Sequence, residues 1–449
     1  MTADPTTRPR VLYLAFYFPP SRASGVYRAR ATANYFAEAD WDVTVARVPQ
    51  WFLTEVVGST DDGLAATVDP RIATVSPELD NFVWETDVRS FGRFRGNFPF
   101  LADRWHKWKQ RFKFPDRYAS WGEAAVEEGL RLHSMSPFDL VIATGNPFAA
   151  FGAAYELGRR TGVPYIVDYR DSWTLDLFTN EDAFPEGDPA WRWERRILEG
   201  AAEALFVNEA LRTWHAERYP QAADRMHVML NGWDPDVLPE VPVSTPDENR
   251  PLSYAYIGTM TAAQPVEALF AGFNRMADGG RHPGARLDLY GHLGFFAMYE
   301  GRMRAEMGLD SDTDDDQERI RHRGPVSKAD IGGAYAASDV LVFLVGGSRY
   351  VTSGKIFEYM ATGKPIVSVH ERGSAAEELL RDYPLWFEPE NLEPGAVAAA
   401  MADAGDAARK ADPDAAQRAR DYAARFTRYR ALEDFERRAR AIAANGSRR

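Results

Sequence analysis

At 449 residues the chain has room for about two to four domains of roughly 100–200 residues, and 45% apolar content is enough to fill their cores. Sixty-six acidic against 53 basic side chains leave a net charge of −13, which argues against general binding of nucleic acid or an anionic membrane by the whole molecule and leaves only local patches open. The absence of cysteine excludes a disulfide framework, a thiolate nucleophile and Cys-ligated metal. A polar start at Met1 to Arg10, with no stretch near the roughly 18 apolar residues of a span, predicts neither a secretion signal nor a transmembrane helix.

Short β-branched and aromatic runs alternate with Ala-, Glu- and Arg-rich stretches of helical period, the pattern of βαβ units around a parallel sheet. A first series of strands is predicted at 11–16, 42–48, 71–76, 139–145, 164–170, 203–208 and 227–232. Within it, residues 81–121 carry twelve aromatic residues, among them Trp105 and Trp108, and nine Lys or Arg against four acids. That surplus fits either a helical insertion packed on the first domain or an element contacting a membrane surface or acceptor. Prolines at 235, 239, 242, 246 and 251 forbid a continuous helix or inner strand and mark 234–251 as a linker. A second series follows at 253–259, 286–291, 319–324, 339–345, 365–369 and 385–389, and residues from about 407 to 445 read as a long Arg-rich helix. The expected architecture is α/β: two doubly wound domains, 1–233 and 252–406, facing across a cleft, with 407–449 packing back across them.

The stretch from Arg349 to Val369 holds most of the chemistry. Thr352, Ser353 and Gly354 form a small polar loop that opens a helix of about eight residues, closed by Gly363 and Pro365 before a buried strand. Free backbone N–H groups at such a start, reinforced by Lys355, suit a phosphate or diphosphate. Glu358, one turn on, can accept two hydrogen bonds from vicinal hydroxyls such as a ribose diol. An ordinary capped helix with Glu358 paired to Lys355 is the alternative.

The run FEYMATGKPIV (357–367) resembles the motif of the retaining family 4 glycosyltransferases, which have the GT-B fold. The resemblance implies that Glu358 holds the donor ribose and that the amides of Ser353 and Gly354 hold its diphosphate. Other segments fall in the family's order. Residues 16–36 are similar to its first glycine loop, with Gly25 near diphosphate and acceptor, and YIGT (256–259) to the phosphate-facing turn at Gly258. Residues 322–342 are similar to the segment whose backbone, around Gly324 to Val326, packs the nucleobase. DYRDSW (168–173) resembles a subgroup with D-x-R-D-x-W, which implies a reaction-site role for Arg170 and Asp171; a salt bridge among Asp168, Arg170 and Asp171 is the structural alternative.

Two departures stand out. The family's first glutamate, eight positions before Glu358, is Tyr350 here, and its Arg and Lys after the Gly258 turn are replaced by Thr259 and Gln264. Lys355, Arg349 and Arg28 are the remaining cations for a departing diphosphate, Lys355 foremost. The resemblance therefore implies a cytoplasmic glycosyltransferase of hexosyltransferase type that needs no cofactor or metal. It would use a nucleotide-diphosphate sugar and an acceptor that is a small molecule or a lipid-linked saccharide, with peripheral membrane contact through 81–121. An epimerase-type enzyme on the same fold and a catalytically degenerate partner subunit are the rival readings. The acidic run 310–318 lacks the turn glycine and final glutamate of a calcium loop, Asp234-Pro-Asp236 sits in the linker, and no zinc, P-loop or dinucleotide motif occurs.

Overall fold

The computed structural model describes residues 8–23, 25–58, 60–80, 115–177, 179–238, 240–242, 246–247, 249–261, 263–279, 281–294, 301, 304, 319–328, 330–346 and 349–446. Most of the aromatic segment 81–121 and the whole acidic run 310–318 lie outside these residues. The chain divides into two compact units. Unit 1 takes Met1–Asp176, Glu181–Met229 and Leu432–Arg449; unit 2 takes Leu177–Asn180 and Leu230–Ala431.

Unit 1 is built on seven strands: β1 (Arg10–Leu14), β2 (Asp42–Ala46), β3 (Ala73–Val75), β4 (Leu140–Gly145), β5 (Tyr165–Tyr169), β6 (Glu203–Phe206) and β7 (Met226–Val228). Their order is β3-β2-β1-β4-β5-β6-β7, with every pairing parallel. Helices cover such a sheet on both faces, so β4 and β5 are buried along their whole length and read as unbroken apolar runs. The helices used below are α1 (Val26–Glu38), α2 (Ala119–Met135), α3 (Ala149–Thr161), α4 (Pro189–Gly200) and α5 (Glu209–Arg218). The described end of the aromatic segment is core: Trp121 is fully buried at the start of α2, with its ring edge-on to Phe16 at 5.1 Å.

Unit 2 repeats the plan with β8 (Ser253–Ile257), β9 (Arg286–Tyr290), β10 (Ile320–Gly324), β11 (Val340–Leu344), β12 (Ile366–Val369) and β13 (Trp386–Phe387), ordered β10-β9-β8-β11-β12-β13 and again parallel. The period of two sorts each strand onto two cores. Tyr254, Tyr256, Val340 and Val342 face a cluster with Phe273 and Met401, whereas Ala255, Ile257, Leu341 and Phe343 face one with Phe357 and Met360. The helices here are α6 (Val266–Ala277), α7 (Ile331–Ala337), α8 (Lys355–Ala361), α9 (Pro394–Lys410) and α10 (Pro413–Ala423), followed by α11 (Arg428–Gly446), which begins in unit 2 and ends in unit 1.

The expected long C-terminal helix is thus three helices. Ala411 takes a left-handed conformation after α9, Asp412 then accepts a hydrogen bond from the Asp414 N–H as N-cap, and Pro413 occupies the first turn of α10, where its missing N–H is harmless. In each sheet the strand order reverses beside the first strand, between β1 and β4 in unit 1 and between β8 and β11 in unit 2. Doubly wound sheets bind ligands outside the carboxyl ends of their strands, at such a reversal.

Candidate functional site

In unit 2 the reversal brings the turn after β8 against the start of α8. Gly258 ends β8, with its N–H bonded to Tyr290 O at 2.6 Å, and the space where a side chain would stand is filled by Lys355: a Cβ on Gly258 would lie 1.8 Å from Lys355 Nζ. Among the described residues that ammonium has no hydrogen-bond acceptor or ion-pair partner; the nearest π face is Tyr256, 5.8 Å from Nζ to ring centre. Burial pushes the Lys355 pKa down to about 8, with Glu358 pulling it up and Lys328 pushing it further down.

Glu358 is held from two sides. Lys328 donates to Oε1, and the Tyr335 hydroxyl, on α7, donates to Oε2 at 2.9 Å. Burial first, and then Glu358 itself, raises the Tyr335 hydroxyl well above its ordinary value, so it stays a donor. The carboxylate therefore pairs with Lys328 rather than Lys355, and neither Lys328 nor Tyr335 was expected at the site. Their signal in the sequence was faint: a single lysine and a tyrosine 30 and 23 positions before Glu358, in the segment expected to pack the nucleobase. Each carboxylate oxygen keeps capacity for a further donor.

The surrounding positions sort cleanly. Ser353 Oγ receives the Lys355 N–H at 3.4 Å, and a Cβ at Gly354 would meet open space. Tyr350 is buried, with the Arg349 guanidinium 4.9 Å over its ring and donating to its hydroxyl at 2.8 Å, so Arg349 is tied down locally. Gln264 braces its own loop: Nε2 donates to Tyr256 Oη and Leu344 O, both at 3.2 Å, and Oε1 accepts from Thr261 N–H at 2.9 Å. Thr259 contributes its carbonyl, which accepts from Tyr256 Oη at 2.8 Å. Gly324, at φ 72°, closes β10 and offers its carbonyl to Gly291 N–H at 2.8 Å, while Val326 packs half-buried on the core.

In unit 1 the loops after β1, β4 and β5 meet. Arg170 follows β5; its Nε donates to Thr144 Oγ1 at 2.9 Å and its Nη2 to Asn146 O at 2.7 Å. The guanidinium then lies over Gly25, where a Cβ would fall 1.3 Å from Nη1, so glycine at 25 is a condition for this placement. Asp171 is solvent-accessible and, among the described residues, makes no hydrogen bond or ion pair; the surrounding protein raises its carboxyl, and neighbouring Arg170 acts in the opposite sense. The alternative reading, a salt bridge among Asp168, Arg170 and Asp171, does not form. Asp168 is buried and takes Arg28 in a bidentate pair, at 2.6 and 2.9 Å, and Thr144 Oγ1 at 3.2 Å. Arg28 is a correction: expected as a cation for the donor, it is 5% exposed and spends its guanidinium on Asp168 and on Met229 O. A buried charge with so close a partner stays with it.

Among the described residues one group could gather round a cation, His370, Glu377 and Glu388. His370 Nδ1 lies 2.9 Å from Glu371 O and so carries the hydrogen, Nε2 lies 3.1 Å from Ser368 Oγ, and Glu377 Oε1 accepts from Gly373 N–H, so these atoms already have work within the fold. In the linker, Asp234 Oδ1 accepts from Asp236 N–H and Asp236 Oδ2 from the Tyr429 hydroxyl at 2.5 Å.

Residues 24–232 match the glycosyl transferase 4-like domain, and residues 252–406 match the glycosyl transferases group 1 domain. The chain belongs to the GT-B glycosyltransferases. No curated protein sequence is significantly similar to this glycosyltransferase. Among solved structures it shares the fold of sucrose-phosphate synthase from Thermosynechococcus elongatus, with a TM-score of 0.65, 13% identity and coverage of 98% of this chain and 100% of that one. A glycosyltransferase from Rickettsia africae has a TM-score of 0.65 at 14% identity, covering 97% and 98%. Anabaena HepE in complex with UDP and glucose has a TM-score of 0.59 at 13% identity, covering 96% and 99%. No helix among the described residues of the glycosyltransferase is long and apolar enough to cross a membrane.

Proposed function

We propose that the protein transfers a sugar from a nucleoside-diphosphate sugar to an acceptor hydroxyl, with retention of anomeric configuration and without a metal ion. Lys355 carries this reading. An ammonium with no partner among the described residues, lying against a turn that has no side chain, is a prepared site for anionic oxygens, and Glu358 one turn on supplies the complementary acceptor for a diol. A diphosphate beside a cis-diol is the pattern that a ribonucleoside diphosphate presents. Lys355, with the amides of Ser353 and Gly354, would stabilise the charge that builds on the leaving diphosphate; the backbone of Gly324 and Val326 would pack the base.

In unit 1, Asp171 would orient or deprotonate the acceptor hydroxyl, and Arg170, locked by Thr144 and Asn146, would fix the geometry of that loop. The acceptor is a small molecule or a lipid-linked saccharide met in the cytoplasm, the latter through the basic, aromatic residues of 81–121. HepE binds UDP, so UDP heads the panel of donors to test.

The test is thermal unfolding with UDP, GDP, dTDP, ADP and CMP, each with and without magnesium. A ligand at 100 times its dissociation constant adds about 2.7 kcal/mol to the bound state, enough to raise a midpoint by several degrees. One responder, indifferent to magnesium, is the expected result; no response from any of the five would overturn the nucleotide site.

A further inference from the structure

Behind the β5 loop of unit 1 lies a sealed polar cluster that the transfer reaction does not use directly. Glu194, on α4, is fully buried. Its Oε2 accepts from the Thr174 hydroxyl and, at 2.7 Å, from the Tyr219 hydroxyl. Its Oε1 has no hydrogen-bond partner and faces Nε2 of the fully buried His215, 3.5 Å away and equally without one. His215 Nδ1 lies 2.8 Å from Leu211 O, so that nitrogen carries a hydrogen and Nε2 is the atom turned towards Glu194. Tyr169, the last residue of β5, packs against the cluster with its ring 5.0 Å from the imidazole.

A buried polar group without hydrogen-bond partners is costly, so this acid and the groups bonded to it depend on one another. What depends on it here is Thr174, the fourth residue after Arg170. The β5 loop is fixed in front by Arg170, bonded to Thr144 and Asn146, and by Trp173 stacked on Phe148 at 5.5 Å; behind, its side-chain tie is Thr174 to Glu194. We propose that Glu194 is a positioning residue for transfer: through Thr174, and steadied by Tyr219 and His215, it sets the depth of the loop that presents Arg170 and Asp171. This rests on the reading of those two residues as reaction-site groups.

Glu194→Gln and Glu194→Met separate the possibilities. Glutamine keeps an acceptor oxygen for Thr174 and Tyr219 and gives His215 Nε2 an N–H donor, so it should retain the rate. Methionine, of similar volume, strands both hydroxyls. In Glu194→Met, and in Thr174→Val, amide hydrogen exchange across 170–176 should quicken by about tenfold or more while the strands of unit 2 exchange as before, local opening being the sensitive signal. With the donor and acceptor found for the wild type, kcat should fall by about tenfold or more at unchanged donor KM, the mark of an interaction outside donor binding. Unchanged exchange in Thr174→Val overturns the proposal whatever the activity. Faster exchange with unchanged kcat overturns the link to transfer. If the wild type transfers no sugar, it is the functional reading that falls, and the exchange result still decides whether Glu194 holds the loop.

Discussion

Lys355 and Glu358 share one turn of α8 yet predict different behaviour when removed. Glu358→Ala takes the acceptor from Lys328, from Tyr335 and from a ribose diol, and should weaken binding of the responding nucleoside diphosphate by about 1–3 kcal/mol, as titration calorimetry would measure. Unchanged affinity would remove the ribose assignment. For Lys355 the pH dependence is the sharper probe. Its pKa in the folded, ligand-free protein is pushed down to about 8 from 10.5, and the charged form is the one that suits diphosphate. Affinity should be level below about pH 7 and decline above about pH 8, and this decline should vanish in Lys355→Met. Stability runs the other way. Below about pH 8 both folded and unfolded chains hold the proton, and the penalty of burying the charge is present in full. Between about 8 and 10.5 the unfolded chain holds more, so the contribution of Lys355 to stability improves as pH rises. Buried Lys364, also pushed down to about 8, adds in the same sense, so the comparison belongs between wild type and Lys355→Met, which share it.

At the scale of elements, α8 shows what local sequence can and cannot convey. Its start at the Thr352–Gly354 loop and its end at Gly363 were legible, because a seven-residue helix between a polar loop and a glycine is punctuated at both ends. Gly363 sits at φ 71° with its N–H bonded to Met360 O at 3.1 Å, the left-handed closure that glycine adopts freely. An alanine there would be strained, and its Cβ would lie 3.0 Å from Ala416 O on α10, so Gly363→Ala should destabilise unit 2 by about 1–2 kcal/mol in urea unfolding. The partners of Glu358 were not legible, since Lys328 and Tyr335 lie 30 and 23 positions earlier and reach it only through tertiary packing, and spacing along one helix suggested Lys355 instead. The fate of Arg28 was hidden in the same way. Its partner Asp168 lies 140 positions away on β5, and a cation in the first turn of a helix looks the same in sequence whether it turns inward or outward.

Across the whole molecule, the thirteen strands among the described residues fell where the sequence pattern placed them, the inner ones such as β4, β5 and β11 because strands buried on both faces leave a dense local signature. The course of the C-terminal residues did not, since three amphipathic helices in series share one period with a single long one. The last of them carries a consequence for unit 1. Leu432, Phe435, Ala439 and Ala443 line one buried face of α11; Phe435 packs on Phe36 of α1 at 5.4 Å, Trp41 Nε1 donates to Glu436 at 2.7 Å, and Arg438 pairs with Glu203 of β6 at 2.8 Å. Unit 1 is therefore completed by residues some two hundred positions beyond Met229, and its stability should depend on them. Phe435→Ala removes a side chain that is 1% exposed and should destabilise unit 1 by about 3–5 kcal/mol, lowering its melting midpoint by roughly 10 °C. The residues that the proposed function gives to the nucleotide, Gly324, Val326, Ser353, Gly354, Lys355 and Glu358, belong to unit 2, so the rise in midpoint on adding the responding nucleotide should survive in the Phe435→Ala protein. Scanning calorimetry with and without nucleotide measures both quantities together, and loss of the nucleotide response in this variant would show that the donor site depends on α11 as well.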